Sequence, residues 1–278
     1  MKLNFELVAP QLRQFLNEDL KTGDLTAPVI PNTRVDGHFI LKQPAVVSGV
    51  ELPAMFYSLL SDQVTYKPLI SDGTAAEAGT ILGRVSGNAR DLLAAERVTL
   101  NLMQRMCGIA SATAQAVSAL DNSHVGILDT RKTAPGLRLF DKYAVICGGG
   151  VNHRLGLYDA VMLKDNHWQL MGSLKEAVAT LRQTAGPTKI IEVEVETEDE
   201  LHAAIENNVD MILIDNQPPA TVKAWRQQIP QRIVVEASGG IQLENLAEYG
   251  QTGVDFISLG YLTNSVQAKD ISFELDAE

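Results

Sequence analysis

The chain has 278 residues, 45% hydrophobic and 21% charged, with a formal net charge of −11. Such a length and balance suit a globular protein with a sizeable core, in one large domain or two modest ones. The acidic surplus argues against a general nucleic-acid or membrane-surface binder, which would carry a basic face, but leaves room for a local cationic pocket.

The amino terminus, Met1 to Glu6, has an early acidic residue and no apolar signal-peptide core. No run approaches the ~18 apolar residues of a membrane span, so the expected location is cytoplasmic. Cys107 and Cys147 are the only cysteines and form no CxxC pair. They read as reduced thiols rather than zinc ligands or a disulfide.

Along the chain, Pro10 to Leu20 has Leu12, Phe15, Leu16 and Leu20 at helical spacing. A loop signal, Gly23-Asp24-Leu25-Thr26, follows. Short alternating runs within 35–50 and 79–87, bounded by Gly and Pro, predict an antiparallel sheet. A long helical pattern rich in Ala, Leu and Met spans about Asp91 to Leu120, with Gly108 as a candidate break.

After that the rhythm changes. Six apolar or β-branched runs each end in polar or glycine residues: 126–129, 160–165, 189–195, 210–216, 233–240 and 255–260. From Asp215 to Ser238 is 23 residues and from Ser238 to Gly260 is 22, the length of one strand, one helix and two loops. The predicted fold class is α/β. Polar residues at every strand end favour a parallel α/β barrel with its site at that end, and six or seven strands make it incomplete. The last residues, Asp270 to Leu275, alternate like a strand returning to the first sheet.

The chemistry-bearing residues gather at the predicted strand ends. In Asp129-Thr130-Arg131-Lys132 two adjacent cations follow the first run, suited to a carboxylate or phosphate. Gly148-Gly149-Gly150 precedes Asn152-His153-Arg154, where glycines permit close approach or left-handed backbone. Lys164 closes an apolar strand, a costly place for a cation unless an anion neutralises it. Glu192, Glu194 and Glu196 alternate on one strand face, and Asp215 closes the next strand. Carboxylates there need cations or a metal, and suit Mg2+ and sugar hydroxyls. Ser238-Gly239-Gly240 and Ser258-Leu259-Gly260 offer backbone N–H groups where barrels commonly hold a phosphate.

Taken in order, Glu96-Arg97-Val98-Thr99, DTRKTAPGLR at 129–138, GGGVNHR at 148–154, LKDNH at 163–167, EVEVE at 192–196, IDN at 214–216, EASGGI at 236–241 and ISLG at 257–260 resemble the quinolinate phosphoribosyltransferases, a type II phosphoribosyltransferase family. The resemblance implies an N-terminal open-faced α/β sandwich over 1–110, joined by a carboxyl-terminal strand at 268–278. It places the incomplete α/β barrel over 111–267. It implies transfer of the phosphoribosyl group of phosphoribosyl pyrophosphate (PRPP) to quinolinate with decarboxylation, a step of NAD biosynthesis, in a homodimer whose Arg97 reaches across the interface. Quinolinate would be held by Arg97, Thr130, Arg131, Lys132, His153, Arg154 and Lys164. PRPP with its Mg2+ would meet Lys132, Lys164, Glu194 and Asp215, the last two bearing on the metal directly or indirectly. Ser238, Gly239 and Gly260 would cradle the 5-phosphate, and catalysis would fall to Lys132, Lys164, Glu194 and Asp215. The family's 21-residue spacing to Asp215 points to Glu194, while the alternation alone leaves Glu192 open. Competing readings are a type II relative using nicotinate or another acceptor, a Schiff-base aldolase using Lys164, and a non-catalytic binding barrel.

Overall fold

The computed structural model describes residues 3–120 and 124–276. The chain forms two compact units. The first collects the chain up to Ala114, Thr133–Gly149 and the stretch from Ser265; the second collects Gln115–Lys132 and Gly150–Asn264. Thr133–Gly149, read from sequence as part of the barrel, therefore groups with the first unit.

In the first unit, Asn4 caps helix α1 (Phe5–Leu20) by accepting from the Glu6 N–H at 2.9 Å. Val8, Leu12 and Leu16, one turn apart, are buried. The helix thus begins before Pro10, where the sequence reading started it, because the cap and Val8 secure the first turn. Strands β1 (Arg34–Leu41), β2 (Ala45–Val46), β3 (Thr65–Pro68), β4 (Ala75–Ala76) and β5 (Ile81–Asn88) follow, with helix α2 (Leu52–Ser58) after β2. β1 lies between β5 and the carboxyl-terminal strand Ile271–Leu275, antiparallel to both, and β3 extends the sheet beyond β5. That last strand is shorter than the predicted 268–278, whose final two positions lie outside the described residues.

Helix α3 (Ala89–Leu120) runs unbroken through Gly108, and the boundary between the units falls within it. Helix α4 (Arg138–Cys147) sends Phe140, Ala144 and Val145 into the first unit's core, beside Phe39, Leu82, Phe56 and Met103. Within the glycine run, Gly149 adopts the left-handed backbone that glycine allows, at φ +87°, whereas Gly148 serves packing. A Cβ at Gly148 would lie 2.4 Å from the Ala110 carbonyl, so this glycine is needed for α4 to approach α3.

The second unit is a sheet of β6 (Gly126–Leu128), β7 (Val161–Leu163), β8 (Ile191–Val195), β9 (Met211–Asp215), β10 (Val234–Ser238) and β11 (Phe256–Ser258). All its pairings are parallel, in the order β6-β11-β10-β9-β8-β7. Helices α5 (Asp165–Leu170), α6 (Leu174–Thr184), α7 (Glu198–Glu206), α8 (Pro219–Gln228), α9 (Leu246–Gly250) and α10 (Tyr261–Asn264) follow successive strands, two of them after β7. Every residue of β8 is buried, as expected for a parallel strand covered on both faces. Among the described residues β6 and β7 share no ladder; β6 instead takes a single bridge, Leu128 to Val151. The result is the predicted incomplete α/β barrel with six strands. No helix among the described residues is long and apolar enough to cross a membrane.

Candidate active site

The carboxyl ends of all six barrel strands open on one cavity of about 280 Å³. Asp129, Thr130, Arg131 and Lys132 follow β6, and Lys164 follows β7. Glu194 comes from β8, Asp215 from β9, Glu236 and Ser238 from β10, and Ser258 from β11. His153 and Arg154 arrive on the segment after Val151. Met162 and Leu213 supply apolar wall. Alternate residues of a strand share a face, so Met162 with Lys164, Leu213 with Asp215, and Glu236 with Ser238 all look inward.

Two anchors fix the cationic side. The buried Asp129 carboxylate accepts from the His153 backbone N–H at 2.9 Å and from the Asn152 side-chain amide. The Arg154 guanidinium donates to the Ala160 carbonyl at 3.0 Å. Its affinity for the proton is lowered, first by burial and then by Arg131 alongside, so two guanidiniums converge on partly desolvated space. That is an arrangement an anion stabilises.

Lys164 Nζ forms an ion pair with Glu194 Oε2, the carboxylate being buried and the lysine half-exposed. The Lys164 backbone N–H donates to His167 Nδ1 at 2.8 Å, and Trp168 Nε1 donates to the Glu194 carbonyl at 3.1 Å. Helix α5 is thereby tied to both members of the pair. Asp215 Oδ2 accepts from Asn216 Nδ2 at 2.7 Å. Gly239, with φ +86°, directly follows Ser238, and Gly260 packs against the Lys132 side chain. The Thr263 hydroxyl donates to the Lys132 carbonyl at 3.0 Å, fixing that lysine's backbone beside the turn.

Thr130, Arg131, Lys132, His153, Arg154, Lys164, Glu194, Asp215 and Ser238 thus line one cavity, while Gly239 follows Ser238 in the chain and Gly260 lies against the Lys132 side chain. Arg97 lies elsewhere: on α3 of the first unit, largely exposed, lining a separate cavity of about 450 Å³ with Glu18, Asp19, Asn101 and Arg105. Of the three alternating glutamates, Glu192 and Glu194 are buried, whereas Glu196 lies past the end of β8 and is exposed. The Glu196 and Thr197 N–H groups instead turn to the Glu200 side chain at the start of α7.

Sequence reasoning missed one feature of the cavity floor. His153 Nε2 lies 2.9 Å from Glu192 Oε2 and 3.4 Å from Glu236 Oε2, and both carboxylates are almost wholly buried. Burial, reinforced by Glu192, pushes the Glu236 carboxyl upward, against the opposing pull of His153, Ser258 and Lys164. The alternation EVEVE was the available signal for Glu192. Glu236 stood in a β-branched run and opens the EASGGI motif, but that motif gave it no role of its own.

Two sequence profiles cover most of the chain: "Quinolinate phosphoribosyl transferase, N-terminal domain" at residues 20–107 and the corresponding C-terminal domain at 109–274. A probable nicotinate-nucleotide pyrophosphorylase [carboxylating] of Bacillus subtilis is 44% identical over 270 residues, covering 95% of this chain and 93% of that protein. The nicotinate-nucleotide pyrophosphorylase [carboxylating] of Mycobacterium leprae is 40% identical over 284 residues, covering 98% of each. The solved nicotinate-nucleotide pyrophosphorylase from Francisella tularensis superposes with a TM-score of 0.94 at 33% identity, over 99% of this chain and 98% of that one. By these matches, and with its strand-end motifs converging on one cavity, the chain belongs to the quinolinate phosphoribosyltransferase family.

Proposed function

We infer that this chain transfers the phosphoribosyl group of PRPP to quinolinate with loss of CO2, releasing pyrophosphate and nicotinate mononucleotide. The observation that carries the reading is the convergence of Arg131, Lys132, His153, Arg154 and Lys164 with Glu194 and Asp215 in one cavity at the strand ends. Quinolinate is a dianion and its co-substrate carries several more negative charges. Bringing them together in a partly desolvated site is strongly repulsive unless cations intervene. Arg131, His153 and Arg154, with Thr130, grip the two carboxylates. Lys132 and Lys164 bridge towards the phosphates, and Ser238, Gly239 and Gly260 take the 5-phosphate on small side chains and backbone N–H groups.

The pyridine nitrogen attacks the anomeric carbon of the ribose as pyrophosphate leaves. Glu194 and Asp215 face the sugar and stabilise the positive charge that develops there. Their carboxylate oxygens, both at the cavity wall, are the hard donors that suit Mg2+, and are the residues that would hold it. A metal held there would supply charge neutralisation for the departing pyrophosphate. Once alkylated, the ring is its own electron sink for loss of the adjacent carboxylate.

The active form is a homodimer in which the exposed Arg97 completes the partner's acceptor site, in the cytoplasm. The aldolase alternative is not favoured, since Lys164 is ion-paired with Glu194 and the chain's relatives are phosphoribosyltransferases. Pyrophosphate release should require quinolinate, PRPP and Mg2+ together. Release without quinolinate, or none with all three, would overturn the reading. Mixing inactive Arg97→Ala and Lys164→Ala proteins should restore part of the activity if Arg97 acts across the interface, and no recovery would contradict that.

A further inference from the structure

Loss of CO2 from the alkylated ring leaves an electron pair on the ring carbon next to nitrogen, and that carbon must receive a proton before nicotinate mononucleotide exists. None of the roles above supplies one. The cavity floor holds a candidate. Glu236 lines the cavity and is about 1% exposed. Around it stand Glu192 from β8, His153 from the segment after Val151, Lys164 at the end of β7 and the Ser258 hydroxyl at the end of β11; Leu213 of β9 separates it from Glu194 in register. His153 Nε2 lies against both carboxylates, and its ring lines the cavity. Two buried carboxylates around one imidazole cannot all be ionised without stranding a negative charge in a desolvated floor, so the trio holds a proton in reserve.

We propose that Glu236 is the proton donor to the carbanion left by decarboxylation. The bond from the ring carbon to the carboxylate breaks with its electron pair staying on the ring. The Glu236 O–H then breaks as the new C–H bond forms, leaving a Glu236 carboxylate faced by His153. Solvent returns the proton after product leaves. The charge state follows the same logic, since burial and Glu192 keep the Glu236 carboxyl protonated near neutral pH.

The assignment rests on quinolinate being the acceptor, and a single-turnover experiment separates the two claims. Carboxyl-labelled quinolinate is mixed with wild-type or Glu236→Gln enzyme, PRPP and Mg2+, and CO2 and pyrophosphate are followed in the same quenched samples. In the wild type the two appear together at about pH 7. In Glu236→Gln the unprotonated carbanion recaptures CO2 before it escapes, so net CO2 release lags pyrophosphate by about 10²-fold, the usual contribution of a positioned acid, and the still-carboxylated mononucleotide accumulates. CO2 and pyrophosphate in step in Glu236→Gln would overturn the proton-donor role while leaving the acceptor intact. A wild type that releases no pyrophosphate with quinolinate would instead overturn the acceptor itself. Should Glu236→Gln fail to fold, Glu236→Asp keeps an acid. Its CO2 lag opens as the pH is raised to about 9.5, and products in step at that pH would overturn the proposal.

Discussion

The Asp129 carboxylate, fully buried just past β6, accepts the backbone N–H of His153 at 2.9 Å, 24 residues further along the chain. Between the two lies Thr133–Gly149, which belongs to the first unit. The contact therefore relocks the chain onto the barrel at the point where His153 and Arg154 enter the cavity. Asp129→Asn keeps the shape but offers an amide N–H where the Asn152 amide already donates. We expect kcat/KM for quinolinate to fall by about 10²-fold, the scale of a small misplacement, mostly through KM. An unchanged KM with a large loss of kcat would contradict this positioning role.

Arg131→Ala and Lys164→Ala should each cost at least about 10²-fold in kcat/KM, as removal of a preorganised charge does, with an unchanged far-ultraviolet circular dichroism spectrum. Arg131 is exposed on its loop, and Lys164 is half-exposed. Unfolding of either variant would mean that a structural residue had been mistaken for a ligand.

The turn after β10 yields a paired test. A Cβ at Gly239 would meet Asn216 Oδ1 at 2.2 Å and the Asn216 N at 2.5 Å, on a backbone at φ +86°. Gly240 is also left-handed, at φ +63°, but has open space around it. Gly239→Ala should lose about 1–3 kcal/mol of stability and weaken PRPP binding. Gly240→Ala should lose less of both. Calorimetry of the two unfolding transitions, with PRPP titrations, compares them; equal effects would remove Asn216 as the cause.

Burial and Glu192 push Glu236 up to about 8 from an ordinary 4.5. For an acid whose folded-state value is raised, stability is fully present below the ordinary value and is lost as the pH rises through the folded one. Gln at this position never ionises. The melting temperature of Glu236→Gln relative to wild type should therefore climb as the pH goes from about 5 to about 9. A difference that stays constant over that range would show that Glu236 is not held protonated.

Much of the barrel was legible because its physics is local. Runs such as MILID at 211–215 and VVEAS at 234–238 announce strands by β-branching, and Lys164 announces a site because a cation is expensive there. What escaped depends on contacts between distant segments. Glu236 matters because His153 and Glu192 stand against it, and no local pattern joins residues 153, 192 and 236. Glu196 kept the alternation yet left the wall, since β8 stops at Val195 and the chain turns into α7. The excursion of Thr133–Gly149 was hidden for a similar reason. Phe140, Ala144 and Val145 would suit any apolar face, and only the first unit's core fixes which one they join.

The central claim is most directly tested by offering quinolinate and nicotinate separately as acceptors, with PRPP and Mg2+, and measuring CO2 alongside pyrophosphate. The account predicts that quinolinate alone is turned over, with one CO2 for each pyrophosphate. Turnover of nicotinate with none of quinolinate would contradict it.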